Sequence, residues 1–267
     1  MPAFPASLCA RRAPRLCRTL SLIASVALVA DVASSQDAPK RPYEFAGDFS
    51  LASSQGNQQV TTIALGQRYS YTFAHWKFSQ SASALRGTAN GVRNAELYQL
   101  ALRSDHNLAR NLTAYLSASG LRNTPAGLNS QIQEGFGLGY QFLNTEADKL
   151  QLSLGLGALQ RTFVGGAESQ SDFVGNVGGN YRHAFSKTAY LEQTATFTPN
   201  FTASDAWLLT AKTAVVAPLS ARFGIKVGYL VNLNNAPPLL PPVRGVAQTI
   251  RFKKFDGLLT TGVQFTY

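Results

Sequence analysis

The sequence predicts an all-β fold, a transmembrane antiparallel up-and-down β-barrel of about 12 strands with both termini periplasmic. Three observations carry this. The chain opens on a secretory signal, continues as ten-residue segments of alternating polarity, and stops on a strand whose last residue is aromatic.

The closing segment, residues 260–267 (TTGVQFTY), has a period of two. Leu259, Val263, Phe265 and Tyr267 share one face; Thr260, Gly262, Gln264 and Thr266 share the other. In an outer-membrane barrel the last strand closes the sheet. Phe265 and Tyr267 are therefore expected to form the assembly signal read by the barrel assembly machinery.

At the other end, Arg11, Arg12, Arg15 and Arg18 precede an apolar run from Leu20 to Val32, followed by Ala33, Ser34 and Ser35. That order is a secretory signal, with cleavage expected before Gln36, and the run is short of the ~20 residues of a membrane-spanning helix. The expected organisation is a cleaved signal over 1–35, a short periplasmic segment over 36–42 and the barrel over 43–267. Cys9 and Cys17 lie inside the signal, so a mature chain has no disulfide, thiolate site or cysteine nucleophile. Losing four arginines and Asp31 with the signal lowers the net charge from +10 to +7. No compact Lys/Arg run with interleaved aromatics accompanies that charge, which argues against a nucleic-acid partner.

Between these ends, residues 150–162, 173–185 and 221–233 show the alternation best, with Leu150, Leu152, Leu154 and Leu156 opposite Gln151, Ser153 and Arg161. Twelve segments are expected, starting near Tyr43, Gln58, His75, Ala95, Leu112, Gln131, Leu150, Asp172, Ala189, Ala206, Ala221 and Thr249. Tight turns near Tyr71, 108–111, 144–149, 185–188 and 218–220 alternate with longer loops at 87–94, 123–130, 164–171, 200–205 and 234–245. Short periplasmic turns and longer extracellular loops are the pattern of outer-membrane barrels. A soluble sandwich also has period-two strands, but its solvated face is usually more charged than a chain with 14% charged residues supplies.

A Lys or Arg facing lipid at the midplane costs ~2–4 kcal/mol, so charged residues in the strands should point inward. The expected luminal bases are Arg68, Lys77, Arg103, Arg161, Arg182, Lys212, Arg222 and Lys226; the acids are Glu44, Asp48, Asp105 and Glu192. Trp76, Tyr98, Phe185, Trp207 and Tyr267 are expected in the two aromatic girdles.

Phe49–Leu65 (FSLASSQGNQQVTTIAL), with its Gly56-Asn57 pair, and Gly135–Phe142 (GFGLGYQF) resemble the first hairpin and the Gly-x-Gly-x-Gly-Tyr strand of a known family. That family is the salt-induced outer-membrane protein family, domain of unknown function 481 (DUF481). Leu121–Asn129 (LRNTPAGLN) sits where the family tends to have an Asp-Arg-Phe-type loop leading to a glycine. Here Asn123, Thr124 and Pro125 replace those three residues and Gly127 remains, so no role of the family's acid carries over. The resemblance implies an outer-membrane barrel.

Nothing in the pattern points to catalysis, a metal site or a cofactor. His75, His106 and His183 fall near periplasmic ends, and Asp105 and His106, adjacent in a strand, face opposite sides. The glycine motif lies in a strand and lacks the Lys-Ser/Thr of a phosphate loop. The expected partners are outer-membrane lipid and, transiently, the assembly machinery, with the barrel a monomer. Eight luminal bases against four acids predict a narrow pore weakly preferring small anions. The alternatives are a structural or envelope-stress barrel plugged by its own side chains, and a recognition protein acting through loops such as 234–245 (NNAPPLLPPVRG).

Overall fold

The computed structural model describes residues 42–54, 60–166, 168–240 and 250–267. The expected signal, the segment 36–41, the Gly56-Asn57 pair and residues 241–249 lie outside the described residues.

Twelve strands follow one another: β1 (Tyr43–Ser54), β2 (Val60–Phe73), β3 (Trp76–Ala89), β4 (Val92–Ala109), β5 (Leu112–Asn123) and β6 (Leu128–Asn144). β7 (Asp148–Phe163), β8 (Gln170–Ala184), β9 (Tyr190–Thr198), β10 (Leu208–Pro218), β11 (Phe223–Asn234) and β12 (Phe255–Thr266) complete the series. Each pairs antiparallel with its chain neighbours, and β1 pairs with β12 to close the barrel. In that seam Ala46 lies opposite Thr266 and Asp48 opposite Gln264. Tyr267 extends it, exchanging backbone hydrogen bonds with Phe45 at 3.0 and 3.2 Å. Closure leaves no ladder edge in the hydrocarbon, where an unpaired N–H or C=O has no water to turn to.

The distribution of side chains is inverted relative to a water-soluble protein. Large apolar groups are exposed, among them Leu154 at 66%, Leu116 at 64% and Phe136 at 59%, whereas Arg161, Asp172 and Gln264 are buried. Period-two alternation, applied to a closed sheet whose outer solvent is lipid, produces this inversion directly. Trp76, Tyr98, Phe185 and Tyr267 all lie on the outer wall, Trp76 stacked with Phe78 at 6.1 Å between centroids.

Eleven of the twelve expected strand starts fall within three residues of the observed ones; β12 begins at Phe255 rather than near Thr249. The alternation of Ile250 and Phe252 is spent on a loop. Leu239 forms an isolated bridge with Arg251, and Phe252 N donates to Pro238 O at 3.0 Å. The loop expected over 87–94 is a two-residue hairpin. Asn90 (φ 50°) and Gly91 (φ 77°) adopt the left-handed pair that an Asn-Gly sequence accepts readily and that matches strand twist. The first periplasmic turn lies at Ala74-His75, beyond Tyr71, because β2 continues to Phe73.

Candidate functional site: the barrel lumen

Strand register decides which charged groups meet inside. On β3 and β4, Lys77 pairs with Asp105 and Ser79 with Arg103, opposite in parity to the outward Trp76, Phe78 and Leu102. The same parity places Glu44 and Asp48 of β1, Arg68 of β2, Arg161 of β7, Arg182 of β8, Glu192 of β9, Lys212 of β10 and Lys226 of β11 on the inner wall.

Three luminal contacts narrow the periplasmic half. Arg68 reaches from β2 to Glu192 on β9, with Nη1 at 2.5 and 2.8 Å from the two carboxylate oxygens. Those strands stand five positions apart around one side of the ring and seven around the other, so the pair is a strap across the lumen. Lys226 Nζ donates to Asp48 Oδ2 at 2.7 Å. Gln264 Nε2 donates to Tyr190 Oη at 2.9 Å, both side chains buried. Lys212 stands among these groups, exposed to the lumen, and forms no ion pair among the described residues.

A second arrangement explains the glycine motif. Gly135, Gly137 and Gly139 of β6 face inward beside Gly155 and Gly157 of β7. A Cβ on Gly137 would stand 2.8 Å from Tyr115 Oη, and one on Gly155 would meet the same oxygen. The glycines thus form a bed for the buried Tyr115 ring. Arg103 lies over that ring, 3.8 Å from its centroid, and donates to both carboxylate oxygens of Asp105 at 2.8–3.0 Å. Backbone space, aromatic face and carboxylate together fix the guanidinium.

Above the strap lies a chamber of about 380 Å³ lined by Gln99, Ser117, Gln133, Asn176, Thr210 and Asn232, with Leu97 and Leu230 among them. A side pocket of about 150 Å³ is lined by Leu85, Leu97, Leu230 and Leu258 and reaches Asp48, Lys212 and Lys226. The lumen is therefore partly apolar. Described residues of the last extracellular loop line the chamber. Pro237 is fully buried and lines it, and Arg251 Nη1 donates to Pro237 O at 2.7 Å. Gly127, at φ +81°, follows the 3₁₀ turn Thr124–Ala126 and seats this loop; a Cβ there would lie 2.6 Å from the Phe252 ring.

One assignment needs correction. Arg222 lies outside β11, in the β10–β11 turn, with its guanidinium 5.6 Å from the centroid of the outward Tyr267. At the last residues before a strand, turn geometry rather than parity sets the direction. Several inner groups escaped sequence reasoning. Lys149 pairs in the sheet with Arg182, and Asp172 receives a 2.9 Å hydrogen bond from Arg161 Nη2 in a pair that is almost wholly buried. Asp256 lines the chamber. Asp172 shares the parity of Asn176 and Arg182 and was readable on that signal; the meeting of Arg68 with Glu192 was not.

The periplasmic half thus holds Arg68, Lys77, Arg103, Lys149, Arg182, Lys212 and Lys226 against Glu44, Asp48, Asp105 and Glu192. Phe265 and Tyr267 are outward in the closing seam, Phe265 packing 5.3 Å from Phe223 and Tyr267 stacked 6.4 Å from Tyr43.

Residues 47–239 match the family described as Protein of unknown function, DUF481. The Escherichia coli (strain K12) protein described as Uncharacterized protein YdiY is 25% identical over 203 residues, spanning 76% of this chain and 79% of its own. Among solved structures, the NanC porin superposes with a TM-score of 0.48 at 10% identity, over 83% of this chain and 98% of that one. The translocator domain of autotransporter NalP from Neisseria meningitidis gives 0.44 at 12% identity, over 86% and 90%.

Proposed function

The chain belongs to the DUF481 family, and for this outer-membrane β-barrel we propose a narrow pore for small solutes that weakly prefers anions. The observation that carries the reading is the periplasmic half of the lumen, where seven Lys/Arg face four Asp/Glu directly below the 380 Å³ chamber. In a confined passage with low-dielectric walls, such an excess raises the local concentration of the opposite charge. Lys212 is a principal contributor, because its ammonium has no carboxylate within 4 Å among the described residues and the residue lines the side pocket. The chamber's amide and hydroxyl lining suits a hydrated polar solute, and its leucines tolerate an apolar portion.

The strap between Arg68 and Glu192 favours a second reading, a structural barrel that does not conduct. Reconstitution of the refolded barrel in a planar bilayer under a potassium chloride gradient separates the two. Conductance steps with a reversal potential favouring chloride support the pore. A silent bilayer, from protein with heat-modifiable barrel mobility, supports the structural reading and sinks the first.

A further inference from the structure

The outer wall carries a charged group that the lumen does not use. Down the outward face of β4 the residues change from Leu102 and Leu100 to Tyr98 and then Glu96, so apolar gives way to aromatic and then to charge. Successive outward positions are ~7 Å apart along a strand, which places Glu96 just beyond the extracellular edge of the apolar belt. Arg86 of β3 is the cross-strand partner of Glu96, and Arg122 of β5 is the partner of Tyr98. All share the outward parity of Ile63 and Leu100, which are 44% and 46% exposed.

The three side chains differ sharply in burial. Glu96 is 4% exposed, accepting from Thr124 Oγ1 at 3.1 Å and lying 3.4 Å from Arg122 Nε. Arg122 is 53% exposed. With its Nε beside the buried carboxylate, more than half of the side chain remains accessible. Arg86 is exposed and forms no ion pair among the described residues. Two guanidinium forks, one anchored by a buried carboxylate, thus stand on the lipid side at headgroup depth. The fork matches the oxygens of a phosphate, and a bidentate charge-assisted contact there is strong.

We propose that Arg86 and Arg122, with Glu96 as the positioning residue, form a docking site on the outer wall for the phosphate of an outer-leaflet phosphoglycolipid. Lipopolysaccharide is the lipid of that leaflet, and the site binds it from the membrane, independently of any passage through the lumen. Occupancy tethers one glycolipid beside the β3–β4 hairpin and the β5–β6 loop.

Binding of fluorescent lipopolysaccharide to the refolded barrel in detergent tests this, with phosphatase-treated lipopolysaccharide and inorganic phosphate as the other probes. The intact lipid should bind about tenfold more tightly than the dephosphorylated one. The R86Q/R122Q variant should lose that preference while keeping its affinity for dephosphorylated lipid and its heat-modifiable mobility. Should the double variant not refold, R86Q alone removes a group outside any observed ion pair and should reduce the preference. Equal binding of both lipids by the unaltered barrel, or an unchanged preference in a folded variant, overturns the proposal. Displacement of the lipid by inorganic phosphate at comparable concentration overturns its assignment to a lipid.

Discussion

Arg68 on β2 and Glu192 on β9 meet across the lumen through two hydrogen bonds from one guanidinium nitrogen. They come from strands on nearly opposite walls, separated by 124 residues of sequence. Cutting this strap should widen the passage. An R68A/E192A variant is expected to raise single-channel conductance severalfold in planar bilayers without changing the mobility of the folded barrel. Unchanged conductance would place the limiting constriction elsewhere.

Lys212 should set the sign of selectivity. K212E replaces an ammonium that has no ion-pair partner among the described residues by a carboxylate beside Glu192, and K212Q removes the charge alone. The reversal potential in a salt gradient should move towards potassium in the order wild type, K212Q, K212E. The shift should shrink at high ionic strength as screening grows.

The glycine bed under Tyr115 makes a stability prediction. G137A or G155A places a methyl against Tyr115 Oη and neighbouring backbone, and should destabilise the barrel by about 1–3 kcal/mol. Gly120 faces outward, and no atom lies within 4 Å of the place a methyl would take there, so G120A should be close to neutral. Denaturant unfolding in lipid vesicles, followed by gel mobility, compares the three.

Arg161 and Asp172 form an almost wholly buried pair in which Arg161 Nε and Nη1 have no hydrogen-bond partner among the described residues. D172N leaves a buried positive charge without its counter-charge and should cost about 3–5 kcal/mol. The apolar double replacement R161M/D172L should recover most of that loss, since a packed hydrophobic pair needs no desolvated charge. The melting temperature of the folded band reads both.

The inward loop should act as a cover. R251Q removes the hydrogen bond to Pro237 O, and G127A forces a side chain onto Phe252 at a backbone angle that L-residues rarely adopt. Either change should raise open probability in bilayer recordings, with strand-level stability little altered. Equal open probability in all three proteins would show the loop to be inert.

Much of the barrel was legible because a closed sheet in lipid ties each side chain's polarity to its parity. Leu150 to Leu156 could face only outward, and Lys226 only inward. Boundaries were less legible where the same residues serve two geometries. Asn90 and Gly91 look like loop material but make the tightest of hairpins, while Ile250 and Phe252 alternate as a strand does and lie in a loop. Arg222 shows where parity ends, one residue before β11. Partnerships were the least legible. Parity told that Arg68 and Glu192 face inward, but which inner groups meet depends on the ring size and stagger of the strands, quantities that no single segment encodes.

The seam between β1 and β12 has a consequence for how the molecule is made. Tyr43 and Tyr267, stacked in the finished wall, are the first and last residues of the barrel in chain order. The ring cannot shut until the final residues arrive. Until then β1 carries a free row of amides and carbonyls, open to pairing with any other extended chain. Such long-range pairing is also slow to find. Assembly of the ring therefore has to keep β1 unpaired until β12 is in place, and errors at that stage should appear as aggregates joined through β1 rather than as misfolded rings.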